Sequence, residues 1–590
     1  VDATFLLLKC CKKMADRLAL PVQNCYLPLM AHYHLAPDPQ RPRHLRVLAI
    51  FECDPRAEFT DVWLPDWRPG RYELGNFARN VVGVAARNTD GDALHLHKIN
   101  RSCWRVHSKG NERLHFHYSY FANQTDAGGC YVDETLFYVN PVHCCVYTEA
   151  SRPQPCSLLL ELDGDFEVAT GMRLNAGLYE TTDFDELVDM PILASRQMEH
   201  NSFEMDGIRY HLWFHGVKEV PWEKLIHDFK AFTRVQLHTM GALPVNEYHY
   251  LFLIFPFAWY HGVEHRNSTV LALGPAENIF SGLYSELLGV SSHELFHTWN
   301  VKYIQPEAFA PYDYQRENYS PLGYIYEGFT TYYGDLFLLR SGVFNWESYV
   351  EEVDVYLKRH FDNYGRFNHS LHTSSIDTWV DGYGGPAAPH RRVSIYAEGM
   401  LSALCLDLEI RRRTQNEHSL DTLMRRLYAD AVNGLTYSEA RLLELLYEIT
   451  DSSFEAFFEM HYQRPLSREL ALTEALHWVG CTLRQTPSEN KEERLLGLRV
   501  KAGGEAGTVV MVAPGSPANA VGLVAEDALL EISWVDEANC KLRWRDKMQH
   551  EHEALLEADV HAGWFSTYHL TRLPSLNTAQ ESAFQQWTLT

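Results

Sequence analysis

Between about Cys25 and about Val217, apolar and polar residues alternate in short runs. Leu45, Val47, Ala49 and Phe51 interleave with Arg46, Leu48 and Ile50, and Leu114, Phe116, Tyr118 and Tyr120 interleave with histidine and serine. Gly, Pro, Asn and Asp punctuate these runs. A period of two places one set of side chains on one face of a strand, so the pattern predicts an N-terminal β domain over residues 1–217. Its first 24 or so residues fit no clear element. The period then changes. After Tyr248 to Phe257, which reads as a buried strand, apolar residues recur at three- and four-residue spacing in Leu283 to Trp299, Tyr324 to Leu339, Ser394 to Arg413 and Ser438 to Ile449. That spacing lines one face of a helix and predicts a mostly helical domain with a small sheet over residues 218–479. Beyond the polar stretch Gln485 to Glu493, short strands and glycines return, giving a C-terminal β domain over residues 480–590. The expected fold class is multidomain α+β.

Composition narrows the functions available. The chain has 590 residues, 46% of them hydrophobic, enough for several cores. Its 52 Lys and Arg against 77 Asp and Glu give a net charge of −25. Such a chain repels phosphate backbones and anionic bilayers, so neither nucleic acid nor membrane is an expected partner. Phe5 to Leu8 is too short for a signal-peptide core, and the longest apolar run, Leu251 to Tyr260, falls short of a membrane span. The 12 cysteines follow no metal or redox spacing, and Cys10–Cys11 and Cys144–Cys145 are sequence neighbours. This is the pattern of free thiols in a reducing compartment, so the cytoplasm is expected, with the periplasm as the alternative if a leader precedes the sequence.

The chemistry concentrates in Ser292-His293-Glu294-Leu295-Phe296-His297. Histidines four apart leave a helix on the same face and can hold one metal ion, while the adjacent carboxylate can take a proton from a water on that metal. With 30 histidines in the chain, a chance occurrence is expected on the order of 0.1 times. The apolar surroundings, Leu295, Phe296 and Trp299, favour the functional reading, because unpaired histidines and a carboxylate are costly to bury. A third ligand is expected from a following helix, and Glu327 in Tyr326-Glu327-Gly328-Phe329-Thr330-Thr331-Tyr332-Tyr333 is the candidate. Asp335, on the same helical face, either orients a ligand or lies on a solvated face. Upstream, Gly262-Val263-Glu264-His265-Arg266-Asn267 follows the buried strand at an edge position. There Gly262 and Val263 could offer backbone groups to a substrate, and Glu264 could hold a peptide's free amine or pair with Arg266.

Three of these segments in this order, Gly-Val-Glu-His-Arg-Asn, His-Glu-Leu-Phe-His-Thr-Trp-Asn and Tyr-Glu-Gly-Phe-Thr-Thr-Tyr-Tyr, resemble the glycyl aminopeptidase family of PDZ-containing metallopeptidases. Pro65-Asp66-Trp67-Arg68-Pro69-Gly70-Arg71-Tyr72 and Asn76-Phe77-Ala78-Arg79-Asn80 are similar to that family's N-terminal β domain. The resemblance implies a thermolysin-like catalytic domain related to aminopeptidase N. It implies one zinc ion on His293, His297 and Glu327, with Glu294 as general base, Glu264 as amine anchor and Tyr396 as oxyanion donor. It also implies removal of small N-terminal residues such as Gly or Ala. The segment Val509 to Ile532, with Pro514-Gly515-Ser516-Pro517-Ala518, resembles a PDZ domain and implies a peptide ligand, captured by a loop that could include Leu496-Gly497-Leu498. Two departures stand out. The gap from His297 to Glu327 is longer than in the aminopeptidase N relatives, so Lys302 to Ser320 is expected to loop out between the helices. Glu398 stands where those relatives often have a lysine, two residues after the tyrosine. The expected function is a zinc aminopeptidase acting on peptides with a free N-terminus. A zinc endopeptidase and a PDZ adaptor on an inactive peptidase scaffold are the alternatives.

Overall fold

The computed structural model describes residues 30–383, 388–503, 507–559, 561 and 563–589. The segments Phe5 to Leu8 and Cys10–Cys11 lie outside the described residues. Among those described, no helix is long and apolar enough to cross a membrane.

The N-terminal region is built from the predicted alternating strands. His44–Glu52 and Arg113–Phe121 pair antiparallel at the centre of an eight-stranded sheet. Leu45, Val47, Ala49, Phe51, Leu114, Phe116, Tyr118 and Tyr120 fill the core on one face. A four-stranded sheet (Glu167–Ala169, Ile192–Ser195, Leu136–Val139, Cys130–Val132) and a three-stranded sheet (Phe59–Trp63, Cys103–His107, Leu96–Lys98) complete it.

The alternating pattern continues through residues 198–215, but these strands belong to the next layer. Met198–Met205 and Ile208–His215 form a hairpin, and Ile208–His215 runs parallel to the buried strand Glu247–Ile254. The reason is their apolar face: Tyr210, Leu212 and Phe214 pack with Tyr248, Tyr250 and Phe252 into the large helical core rather than into the N-terminal one. Ser268–Gly274 and then Trp259–Glu264 extend this five-stranded sheet, leaving Trp259–Glu264 as its edge.

Helices cover the sheet. The predicted segments appear as Tyr284–Phe296, a π-helical turn Tyr324–Phe329 running into Thr330–Arg340, Ala397–Arg413 and Glu439–Thr450. Gly328 and Gly399 face each other so closely that a Cβ on Gly328 would lie 2.5 Å from the Gly399 Cα, which lets Ala397–Arg413 press against the π turn.

Lys302 to Ser320 leaves the helices but does not loop into solvent. It is stitched to the N-terminal region: Trp67 Nε1 donates to the Asp313 carbonyl at 2.7 Å, the Asp66 amide to that of Tyr314 at 2.8 Å, and Tyr314 joins the N-terminal core.

The C-terminal stretch is not one continuous β domain. Leu498–Lys501, Gly507–Val512, Ala528–Trp534, Asn539–Arg545 and Glu551–Glu557 form an antiparallel sheet with its own core. The flanking strands Cys481–Thr486 and Thr567–Arg572 pair with each other, and Cys481, Tyr568, Leu570, Ala583 and Trp587 join the helical core. The sheet is therefore an insertion, and the chain returns to the helical layer through Thr578–Thr588. Trp587 anchors that return. It is fully buried, its Nε1 donates to the Tyr332 hydroxyl at 2.9 Å, and Arg340 Nε donates to its carbonyl at 3.0 Å.

Trp587→Ala is expected to lower stability by about 3–5 kcal/mol, whereas Leu589→Ala, at an exposed position, should change it by no more than about 0.5 kcal/mol. Urea denaturation of the two variants checks this.

Candidate active site

His293 lies in the last turn of Tyr284–Phe296, and His297 caps that helix. One turn separates them, so both imidazoles leave the same face, with their Nε2 atoms 3.0 Å apart. The His297 Nδ1 lies 2.7 Å from the Asn300 carbonyl, which only accepts. In its neutral form the ring therefore carries its proton on Nδ1 and turns the Nε2 lone pair towards His293. Glu327, in the π turn, brings Oε2 to 3.4 Å from His297 Nε2, and its Oε1 accepts from the Tyr72 hydroxyl at 2.8 Å. One ligand atom from each of His293, His297 and Glu327 falls within 4.8 Å of the others.

Packing holds these helices in place. A Cβ on Gly334 would lie 3.2 Å from that of His293, so the two helices nearly touch. The Ser292 hydroxyl donates to the Gly334 carbonyl at 2.7 Å and receives Gln236 Nε2 at 3.1 Å.

The edge strand supplies the other side. A Cβ on Gly262 would lie 2.2 Å from Glu294 Oε1, so the carboxylate leans on the strand where a side chain is missing. Glu294 is buried and its Oε2 has no partner among the described residues. Alternation turns Val263 into the core beneath the sheet, and its carbonyl already accepts from Thr269 Oγ1 at 3.0 Å. Val263 thus turns its side chain away from the site. Glu264 returns to the site face, buried, with Oε1 unpartnered and one ligand atom within 4.8 Å of those of Glu294 and His297. Arg266 does not pair with it. The Arg266 amide donates to Asp189 Oδ2 at 2.9 Å and its guanidinium lies over the Tyr303 ring.

The field in this pocket is dominated by burial and by three carboxylates. Burial pushes the Glu294 carboxyl up to about 8, against the pull of His297 and with the help of Glu264 and Glu327. Burial works against a charge on His297, yet Glu327, Glu264 and Glu294 outweigh it and raise that imidazole to about 10. His293 is held well below its usual value by burial. The pocket thus favours positive charge, and the two Nε2 atoms at 3.0 Å need a shared proton or a cation between them. Two imidazoles and a carboxylate, with a second carboxylate beside them, are the donor set of a catalytic zinc, and the residues fit that ion.

Tyr396, at the start of Ala397–Arg413, sets its hydroxyl 3.4 Å from that of Tyr383 rather than against a member of the His293–His297–Glu327 group. Its ionisation is suppressed by burial first and by the Glu327 carboxylate next. Glu398 turns away into the helical core, where Arg468 Nε and His360 Nδ1 each reach it at 2.6 Å. Burial opposes its charge, but His360 and Arg468 hold it at about 2. Asp335 is buried rather than solvated. Burial, then Glu352, pushes it up to about 8.

Two residues absent from the sequence-derived set come from the N-terminal region. Tyr72 orients Glu327, and Gly70, at φ +80°, lies so close to Glu264 that a Cβ would meet Oε2 at 2.5 Å. Nothing in the local pattern separates Tyr72 from the other tyrosines of the chain. The sole sequence signal is the Pro- and Gly-rich segment Pro65 to Tyr72 in which it stands.

Residues 286–402 match the M61 glycyl aminopeptidase domain, and residues 32–196 match the N-terminal domain of the same peptidase family. Both matches are to the M61 peptidase family. Its members are aminopeptidases, so the chain is an enzyme, a peptidase, and the family supports a metallo-aminopeptidase. Among solved structures, an aminopeptidase N family protein from Idiomarina loihiensis is similar in fold, with a TM-score of 0.86 and 23% identity over 95% of this chain and 100% of that one. An M1 zinc metallopeptidase mutant from Deinococcus radiodurans, bound to a Tyr-Ser-Ala substrate, covers 75% of this chain and 95% of its own at 15% identity and a TM-score of 0.44, too loose a likeness to transfer anything. No curated protein matches the chain.

Tyr72→Phe removes the hydroxyl that fixes Glu327, so the site is expected to hold zinc about 10–100-fold more weakly. Competition with a chelator of known affinity measures this, and unchanged affinity would show that Tyr72 does not orient the ligand.

Proposed function

We propose that this peptidase is a zinc aminopeptidase that releases small N-terminal residues, Gly or Ala, from peptides with a free amine. The observation that carries the reading is Glu264, a buried carboxylate with a free Oε1 whose ligand atom lies within 4.8 Å of those of Glu294 and His297. A carboxylate so placed needs a cation, and a peptide's terminal ammonium supplies one at the distance of a single residue from the scissile bond.

His293, His297 and Glu327 would hold one zinc ion, which when bound supplies a Lewis acid and raises the acidity of water. Glu294 Oε2 takes the proton from the attacking water and passes it to the leaving amine. Burial and the neighbouring carboxylates raise the proton affinity of this carboxylate, which suits it to accept a proton and then return it. The hydroxyl of Tyr396, or of its neighbour Tyr383, donates to the oxygen on which negative charge develops. The Gly70 backbone packs against Glu264 and fixes that carboxylate, and the match to a glycyl aminopeptidase domain supports a preference for small first residues.

The inserted antiparallel sheet over residues 498–557 is assigned as a PDZ-like unit that takes a peptide as an added strand. The proposal rests on the Pro514 to Ala518 segment and on a separate sheet core. Buried, unpaired thiols such as those of Cys144 and Cys145 favour a reducing compartment, the cytoplasm.

A series of Gly- and Ala-initiated peptides, free and N-acetylated, tests the reading. Free peptides should lose their first residue and acetylated ones should resist, and Glu264→Gln should lower kcat/KM on free peptides by about 10²–10³-fold. Equal cleavage of free and acetylated peptides would make the enzyme an endopeptidase.

A further inference from the structure

A second group of histidines lies on the N-terminal region, away from every residue of the active site. In the edge strand Leu96–Lys98 and the residue before it, His95 and His97 stand two apart and therefore share one face, while Leu96 turns inward onto the core. His107 closes the neighbouring strand Cys103–His107, and its amide donates to the His95 carbonyl at 2.9 Å, which sets the two residues opposite each other. All three imidazoles emerge on the same side of the three-stranded sheet. Ring centroids are 4.8 Å apart for His95 and His107, and 6.0 Å for each of the other two pairs. One donor nitrogen from each ring lies within 4.8 Å of the other two.

We propose that His95, His97 and His107 form a second metal site, for a borderline divalent transition-metal ion, principally Zn²⁺. Zinc–imidazole bonds of about 2.0–2.1 Å place tetrahedral donors roughly 3.3 Å apart. The donor nitrogens need close by at most roughly 1.5 Å, within reach of side-chain rotation, since His95 and His97 are exposed. No described residue hydrogen-bonds to any of the three rings, so their nitrogens are uncommitted. Phe59 packs its ring edge-on against His107 at 4.6 Å and limits the motion of that ligand.

Nearby charge does not oppose a cation. Arg105 stands opposite His97 but forks onto Asp61 through two 2.7 Å hydrogen bonds, which neutralises the pair. Three nitrogen donors suit zinc, copper or nickel, whereas magnesium and calcium require oxygen ligands. The cluster of His211, Glu247 and His249 has different chemistry. Trp213 Nε1 donates to His249 Nδ1 at 3.2 Å, which leaves the ring proton on Nε2, facing Glu247 at 3.8 Å. That arrangement commits the His249 ring to Trp213 and turns a proton, not a lone pair, towards Glu247. A metal on His95, His97 and His107 would instead pin the edge strand Leu96–Lys98 to its neighbour and stabilise the sheet.

The test uses the full chain, stripped with a chelator and titrated with Zn²⁺ by calorimetry, with bound metal counted after desalting. The wild type should take two equivalents. His97→Ala should take one, keep full peptide hydrolysis, and no longer gain melting temperature from the second equivalent. Its metal-free melting curve should coincide with that of the stripped wild type. His293→Ala should lose hydrolysis and retain the surface equivalent, so failure of the active-site reading and failure of this one give different results. Equal zinc binding by wild type and His97→Ala would overturn the proposal.

Discussion

The site depends on one electrostatic constraint: the buried His297 imidazole, 3.0 Å from that of the half-buried His293, is crowded with the buried carboxylates of Glu264, Glu294 and Glu327. Burying such groups without compensation is costly, because each loses its water and like groups repel. A proton on His297 relieves part of the conflict, and a divalent cation between the donors would relieve more. The close packing around the pocket follows from this demand. Gly334 against His293, Gly262 against Glu294 and Gly328 against Gly399 are places where a side chain would drive the donors apart.

The pocket is not the property of the helical domain alone. Gly70 and Tyr72, from the loop that precedes Phe77–Asn80, reach Glu264 and Glu327. That loop is fixed in turn by the segment Lys302 to Ser320, through Trp67, Asp66 and the carbonyls of Asp313 and Tyr314. Lys302 itself is buried and bonds Asp189 Oδ1 at 2.7 Å. The long spacing between His297 and Glu327 therefore joins the two regions whose side chains meet at the site.

Much of this was legible in the sequence, for physical reasons that are local. Helical spacing alone places His293 and His297 on one face, and strict alternation marks His44–Glu52 and Arg113–Phe121 as half-buried strands. Glu327 was legible because a third ligand must come from a helix that follows closely. What could not be read depends on partners distant in sequence. Residues 198–215 alternate like their predecessors, and only the aromatic residues of Glu247–Ile254 decide which sheet they join. Asp335 has the pattern of a solvated face but is covered by neighbouring elements. Tyr72 and the return of Trp587 to the helical core are set by contacts across more than 250 residues. Val263 was named for its backbone groups on the edge strand, and alternation turns its side chain into the core.

The chemistry of the site turns on a metal at one place. Crystals of gently purified full-length protein, measured at the zinc absorption edge, test it most directly. A strong anomalous peak should lie between His293 Nε2, His297 Nε2 and the Glu327 carboxylate. An active enzyme whose crystals show no metal peak there would contradict it.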